Sequence, residues 1–396
     1  MEKAGLYIHV PFCVRKCNYC DFLSFGINDM RKDGSAYRTL IDPYFEQLIS
    51  EIRAVRSGTS QLYGLVPDVP VKFDSVYIGG GTPTAAGADN ISRLLNAAAG
   101  AFELSADCEI TVEANPGTVD INALERLKRA GVNRLSLGIQ ALRPGLLEVL
   151  GRVHSDSDAR AAAYAARELF DSLNLDFILG IPGMGDTSAE TLSDIEEIAG
   201  FIEAVHPDHV SAYSLITEPG TCFYEWQKQG RLDYPDEALE RQMYHTFKKQ
   251  LEALGYVHYE ISNFALPGRF SRHNLKYWEG VPYLGLGAGA VSCLNTGNGN
   301  AVRLRAGDNL NSFTAYFPDE TLDTAARKQE FMLLGFRKLK GPDGAQYRER
   351  FGPDADMAAD FRTELASLSN RGLINPDNSL TSHGLDFANE IFMEFI

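Results

Sequence analysis

Leu6-Tyr7-Ile8-His9-Val10-Pro11-Phe12-Cys13-Val14-Arg15-Lys16-Cys17-Asn18-Tyr19-Cys20-Asp21-Phe22 runs from an apolar, strand-like segment directly into a loop holding three of the chain's six cysteines. A CxxxCxxC spacing lets one tight loop aim three thiolates at a common centre, and thiolates are the usual ligands of iron–sulfur clusters. A cube of four irons then leaves one iron without a protein ligand, open to a chelating small molecule. Zinc is the competing reading, with His9 as the nearby fourth ligand. His9 lies within the strand, however, and the spacing is not that of common zinc knuckles. Six cysteines in 396 residues, three of them clustered, are too few for a disulfide framework and point to metal or redox chemistry in a reducing compartment.

Outward from this loop, short apolar runs alternate with segments of helical period, the pattern of βα units and a mainly parallel sheet. Six strands are predicted at 6–10, 75–78, 109–113, 134–138, 175–179 and 209–213, with helices at 91–102, 121–130 and 159–169 between them. A complete barrel wants eight repeats. Six predict a partial (β/α)6 barrel or a strongly curved open sheet. Beyond about residue 232 the alternation fades. Residues 256–265 and 283–294 still read as strands that close or edge the sheet, and from 321 onward the chain is mostly helical. Two helices, a short hairpin around 372–381 and a last helix resemble a winged-helix unit, read here as a packing or interface module.

Parallel sheets place ligands at the carboxyl ends of their strands. There the second strand carries Gly79-Gly80-Gly81-Thr82-Pro83-Thr84, whose glycines allow close backbone approach and whose amides can meet a carboxylate. Later strand ends bring Glu113 before Asn115-Pro116-Gly117, then Gln140 and Asp176. Four polar strand ends on the rim of the cysteine loop predict a pocket for an amino acid and nucleoside. The formal net charge of −16 opposes sequence-independent nucleic-acid binding. The start Met1-Glu2-Lys3-Ala4-Gly5 lacks a signal peptide's basic start and apolar run, so a cytoplasmic location is expected.

These residues resemble the radical S-adenosylmethionine (SAM) proteins, and within them the oxygen-independent coproporphyrinogen III oxidase-like group. The resemblance runs through 7–13, the cysteine loop, 79–84, 113–118, 131–140, Gly151-Arg152-Val153-His154, 174–183, 211–221 and the tail. It implies a [4Fe–4S] cluster on Cys13, Cys17 and Cys20, with the amino and carboxylate groups of SAM on the fourth iron. Tyr7 would line the site near the cluster. Gly80, Gly81 and Thr82 would hold the methionyl end of SAM, and Glu113, Gln140, Arg152 and Asp176 would contact it from later strands. A low-potential donor such as a flavodoxin or ferredoxin would supply an electron. Residues 1–230 then form the radical SAM core, 231–310 an extension of the barrel, and 311–396 the winged-helix-like domain.

In oxidases of that group a fourth cysteine follows two residues after the third, where this chain has Phe22. That departure matches the haem chaperones of the HemW type. Their HNxxYW pattern stands here as His273-Asn274-Leu275-Lys276-Tyr277-Trp278. The resemblance thus implies haem as cargo and a haem-accepting protein as partner, a membrane-associated respiratory component among the candidates. His273 is expected as an iron ligand, with Asn274 beside it and Tyr277 and Trp278 as flat apolar walls. Arg269, Arg272 and Lys276 would meet propionates. The alternatives are a coproporphyrinogen III oxidase, a class C radical SAM methyltransferase or cyclopropanase, and a binding module whose cluster is only structural.

Overall fold

In the computed structural model, which describes residues 4–297 and 299–396, the apolar runs form six parallel strands. They are β1 (Ala4–Val10), β2 (Lys72–Gly80), β3 (Glu103–Ala114), β4 (Arg134–Gln140), β5 (Ser172–Leu179) and β6 (His209–Ser214). Each lies beside the next, with Tyr7 opposite Tyr77, Glu113 opposite Ser136, and Asp176 between Gly138 and Ser211. The connecting helices include α1 (Ile41–Ser57), α2 (Ala88–Ala101), α3 (Ile121–Arg129), α4 (Asp156–Leu169), α5 (Leu192–Val205) and, after β6, α6 (Glu237–Ala253). Period-2 alternation sends Leu6, Ile8 and Val10 into one apolar cluster with Phe45, Leu48 and Ile52 of α1. The alternate residues build a polar interior. There Asn174 donates to Ser136 Oγ at 2.7 Å, Ser136 donates to Asp176 at 2.8 Å, and the His209 ring pairs with Asn174 Oδ1 at 2.6 Å.

Further strands extend both edges. On one side β7 (Val257–Glu260) and β8 (Asn263–Ala265) follow β6, antiparallel. On the other, β9 (Tyr283–Leu286) runs parallel to β1, and β10 (Val291–Gly297), β11 (Asn300–Ala306) and β12 (Tyr316–Leu322) continue antiparallel. The order is β12-β11-β10-β9-β1-β2-β3-β4-β5-β6-β8-β7, and among the described residues its two end strands do not pair with each other. A partial barrel with additional C-terminal strands is therefore what forms. The single strand expected at 283–294 is two, because Gly287 turns at φ +102°, where an added Cβ would meet the His9 carbonyl oxygen at 2.5 Å. β12 was not predicted. Its middle, Phe317 to Thr321, is exposed and partly charged, so it carries no inward alternation to read.

A short helix, α7 (Arg272–Trp278), is capped by the Ser271 hydroxyl and lies under the amino ends of β1–β3. The C-terminal part begins with α8 (Thr324–Gly335) and packs a second apolar cluster of Phe331, Phe336, Tyr347, Phe361, Leu373 and Ile391. Its expected hairpin is a single bridge between Ile374 and Leu380. No helix among the described residues is long and apolar enough to cross a membrane.

Candidate functional site

Val10 ends β1 and the chain turns at once into the cysteine loop, so the three thiols face the carboxyl ends of the parallel strands. Cys13, Cys17 and Cys20 all line one cavity of about 470 Å³. Thr82 Oγ1 donates to Cys13 Sγ at 3.6 Å, and Arg152 donates to Cys17 Sγ at 3.5 Å. Asn115 joins these two donors: its Nδ2 donates to Thr82 Oγ1 at 2.7 Å and its Oδ1 accepts from Arg152 at 2.5 Å. Burial pushes the Cys13 thiol up to about 11, with the Thr82 hydrogen bond opposing the rise, and burial raises Cys20 as well. Binding a metal requires thiolates, so the metal's charge must offset that cost. His9 is not a fourth ligand. Its Nδ1 meets the Tyr7 hydroxyl at 2.8 Å and its Nε2 meets the Leu23 carbonyl at 2.9 Å.

The floor of the cavity is polar. Gly80, Gly81, Thr82, Glu113, Gln140, Arg152 and Asp176 all line it, as the sequence led us to expect. Gly81 passes so close to the cysteine loop that a Cβ would meet the Phe12 carbonyl oxygen at 2.8 Å. Gln140 ends β4 at φ +68°, an uncommon conformation for a residue with a side chain and a mark of functional sites. Glu113 accepts from the Tyr77 hydroxyl at 2.7 Å and from the Gly80 amide at 3.1 Å. Burial is the first cause that pushes its carboxyl up to about 7, and Asp176 adds to it. The mouth is mixed: Phe22, 63% exposed, and Ile216, 68% exposed, rim the cavity with Tyr213, and the charged Arg15, Asp21 and Glu218 line it as well.

Some expected residues lie elsewhere. Tyr7 sits below the cavity wall, against His9 and Tyr77. The HNxxYW segment is α7, on the side of the barrel away from the thiols, and His273 is only 1% exposed. Its Nδ1 meets Ser75 Oγ at 3.0 Å and its Nε2 meets the Tyr277 hydroxyl at 2.9 Å, so neither nitrogen faces a ligand. Asn274 takes the Ser271 cap on its amide, and Trp278 stacks under the Arg337 guanidinium at 4.4 Å. The cations expected to hold propionates are paired with acids: Arg269 with Asp208, Arg272 with Asp107 and Lys276 with Asp74. In this structure the segment expected to hold haem is therefore buried, with its hydrogen-bonding groups occupied by protein partners. Several lining residues were not assigned to the site by the sequence, among them Asn115 and Tyr77 in the wall and Tyr213 and Ile216 at the mouth. Asn115 carried a signal, as the Asn-Pro-Gly turn after β3, whereas Tyr77 looked like any strand aromatic.

Residues 7–195 match the sequence profile of the radical SAM superfamily. The chain is 35% identical to the haem chaperone HemW of Bacillus subtilis, with 98% of each chain covered, and 32% identical to that of Lactococcus lactis, covering 98% of this chain and 96% of the relative. The chain belongs to the radical SAM superfamily, among the HemW proteins. Coproporphyrinogen III oxidase (HemN) from Escherichia coli shares the fold of this HemW relative, with a TM-score of 0.77 at 21% identity over 100% of this chain and 90% of that one. The donor types fit the superfamily's [4Fe–4S] cluster, with three thiols from one loop lining one cavity, two of them already hydrogen-bonded, and the Arg152 guanidinium between the loop and β4; among the described residues, however, no three His, Cys, Asp or Glu side chains are gathered closely enough to hold a single metal ion.

Proposed function

We propose that this protein is a radical SAM haem chaperone, which binds haem and passes it to an acceptor protein. Its relatives carry the chaperone's name, and the observation that carries the reading here is the layered cavity. Thiols stand on one side, a polar floor lies below, and the exposed apolar side chains of Phe22 and Ile216 stand at the mouth among charged ones. Cys13, Cys17 and Cys20 would hold the [4Fe–4S] cluster, and Gly80, Gly81, Thr82, Glu113, Gln140, Arg152 and Asp176 would hold SAM. Bound together, cluster and SAM supply one-electron cleavage chemistry, with a flavodoxin or ferredoxin as donor. The chain's own residues orient and shield. Glu113 and Asp176 accept from ammonium and hydroxyl groups, Arg152 sets positive charge beside Cys17, and Thr82 steadies Cys13. Phe22, Tyr213 and Ile216 offer a flat, apolar cargo a surface at the mouth. The acceptor, a membrane-associated respiratory component among the candidates, would then approach from that side.

The test is anaerobic reconstitution followed by titration with haem, with and without SAM. The expected result is a Soret band that saturates, a several-fold loss of affinity in Phe22→Ala and Ile216→Ala, and little change in His273→Ala. Coproporphyrinogen III should not be decarboxylated. Turnover of that porphyrinogen by the wild type would replace the chaperone reading with the oxidase one.

A further inference from the structure

The HNxxYW segment is left without a ligand to bind, and its contacts point upward into the barrel. The His273 ring stacks on Tyr77, with centroids 5.2 Å apart and planes 30° from parallel. The same ring is pinned by Ser75 and Tyr277, and its amide donates to Glu109 Oε1 at 3.0 Å. The hydroxyl of Tyr77 emerges at the other end, in the cavity floor, and donates to Glu113 at 2.7 Å. There is no slack at that point, since a Cβ on Gly79 would lie 2.8 Å from the Tyr77 ring and 2.9 Å from the Glu113 carboxyl. A tyrosine wedged in this way transmits any displacement of the ring beneath it to the carboxylate above it.

We propose that His273 is a positioning residue for the SAM site: it sets the height and tilt of the Tyr77 ring, and the Tyr77 hydroxyl then holds Glu113 where SAM is bound. The segment is thereby a strut under the binding site. Its lower end reaches the C-terminal part, where Arg337 covers Trp278, Lys338 pairs with Glu279, and Arg350 donates to the Glu279 carbonyl oxygen. The floor of the site is consequently braced by the region beyond β12. This inference rests on the reading that SAM binds above Glu113.

The experiment measures SAM affinity by calorimetry in reconstituted protein, together with iron and sulfide content. The wild type must bind SAM; if it does not, the functional reading itself fails. His273→Ala is expected to weaken SAM about tenfold, as losing one well-placed hydrogen bond to a charged group does, with iron content unchanged. Tyr77→Phe should cost a similar factor. The double variant should be no weaker than Tyr77→Phe alone, because both changes break the same link. If His273→Ala does not fold, Tyr277→Phe, which removes only a hydroxyl below His273, takes its place in the same cycle. Additive losses, which a general loss of stability would give, overturn the proposal. So does an unchanged SAM affinity in either lower variant, and loss of haem binding with SAM binding intact would return His273 to the role of ligand.

Discussion

Glu113 stands between Tyr77 and Gly80 on the cavity floor, and its surroundings disagree about its charge. Burial favours the neutral acid and Asp176 reinforces this, while the Tyr77 hydroxyl, the Gly80 amide and Arg134 favour the carboxylate; the outcome is a carboxyl pushed up to about 7. An unfolded glutamate titrates near ~4.3. Between that value and about 7 the native protein without ligand therefore holds a proton that the unfolded chain has released, and stability falls as pH rises through the window. Glu113→Gln removes this term. At pH 8 it should stabilise the unliganded protein by on the order of 2 kcal/mol, less whatever water in the cavity recovers, and at pH 4 it should change little. Thermal melts at the two pH values check this, and an equal shift at both would contradict the carboxyl's raised affinity for protons. The same substitution should weaken SAM, since a cationic ligand is best met by the ionised form.

The turn after β2 shows which parts of an element can be read in a sequence. Three successive glycines and a threonine announced a close backbone approach, and Gly80 makes it at φ +117° with a Cβ position only 2.5 Å from the His9 ring. Gly80→Ala should therefore cost about 2–4 kcal/mol, from backbone strain and the displaced imidazole together. Gly87 is the control. It too has a positive φ, +92°, but a Cβ there would meet nothing within 4 Å, so Gly87→Ala should cost backbone strain alone, about 1–2 kcal/mol. Urea unfolding of both variants decides between strain alone and strain plus contact, and equal costs would remove the His9 contact from the account. The parallel strands were legible for a related reason: every second residue is apolar and packs outward, as Leu6, Ile8 and Val10 do, while polar side chains of the interior stand between them. The packing of α7 was not legible, because its residue types, an imidazole, two aromatics and several cations, suit a porphyrin site and a barrel plug equally. Only the three-dimensional partners Ser75, Asp74 and Asp107, more than 150 residues away in sequence, distinguish them.

The barrel and the C-terminal part, each with its own apolar cluster, are joined by a seam around Arg337. Its carbonyl accepts from the Ile261 amide at 3.1 Å, the Leu339 amide donates to the Tyr259 carbonyl at 3.1 Å, and its guanidinium lies over the Trp278 ring. Glu260, next to this seam, has a carboxyl that burial pushes up to about 7, with Arg337 opposing the rise. A seam with backbone pairing and an enclosed cation over an indole, worth about 2 kcal/mol, is enough to make the two parts melt together. Calorimetry of the wild type should therefore show a single transition. Arg337→Ala removes the cation–indole contact while leaving both backbone hydrogen bonds, and it should separate an early transition of the C-terminal part from a later one of the barrel. Iron content should survive that change, because the cysteine loop is anchored at the opposite ends of the strands, through Thr82 and Arg152. Two transitions already present in the wild type would mean that the seam does not couple the parts, and the C-terminal end could not then brace the floor of the site through Trp278.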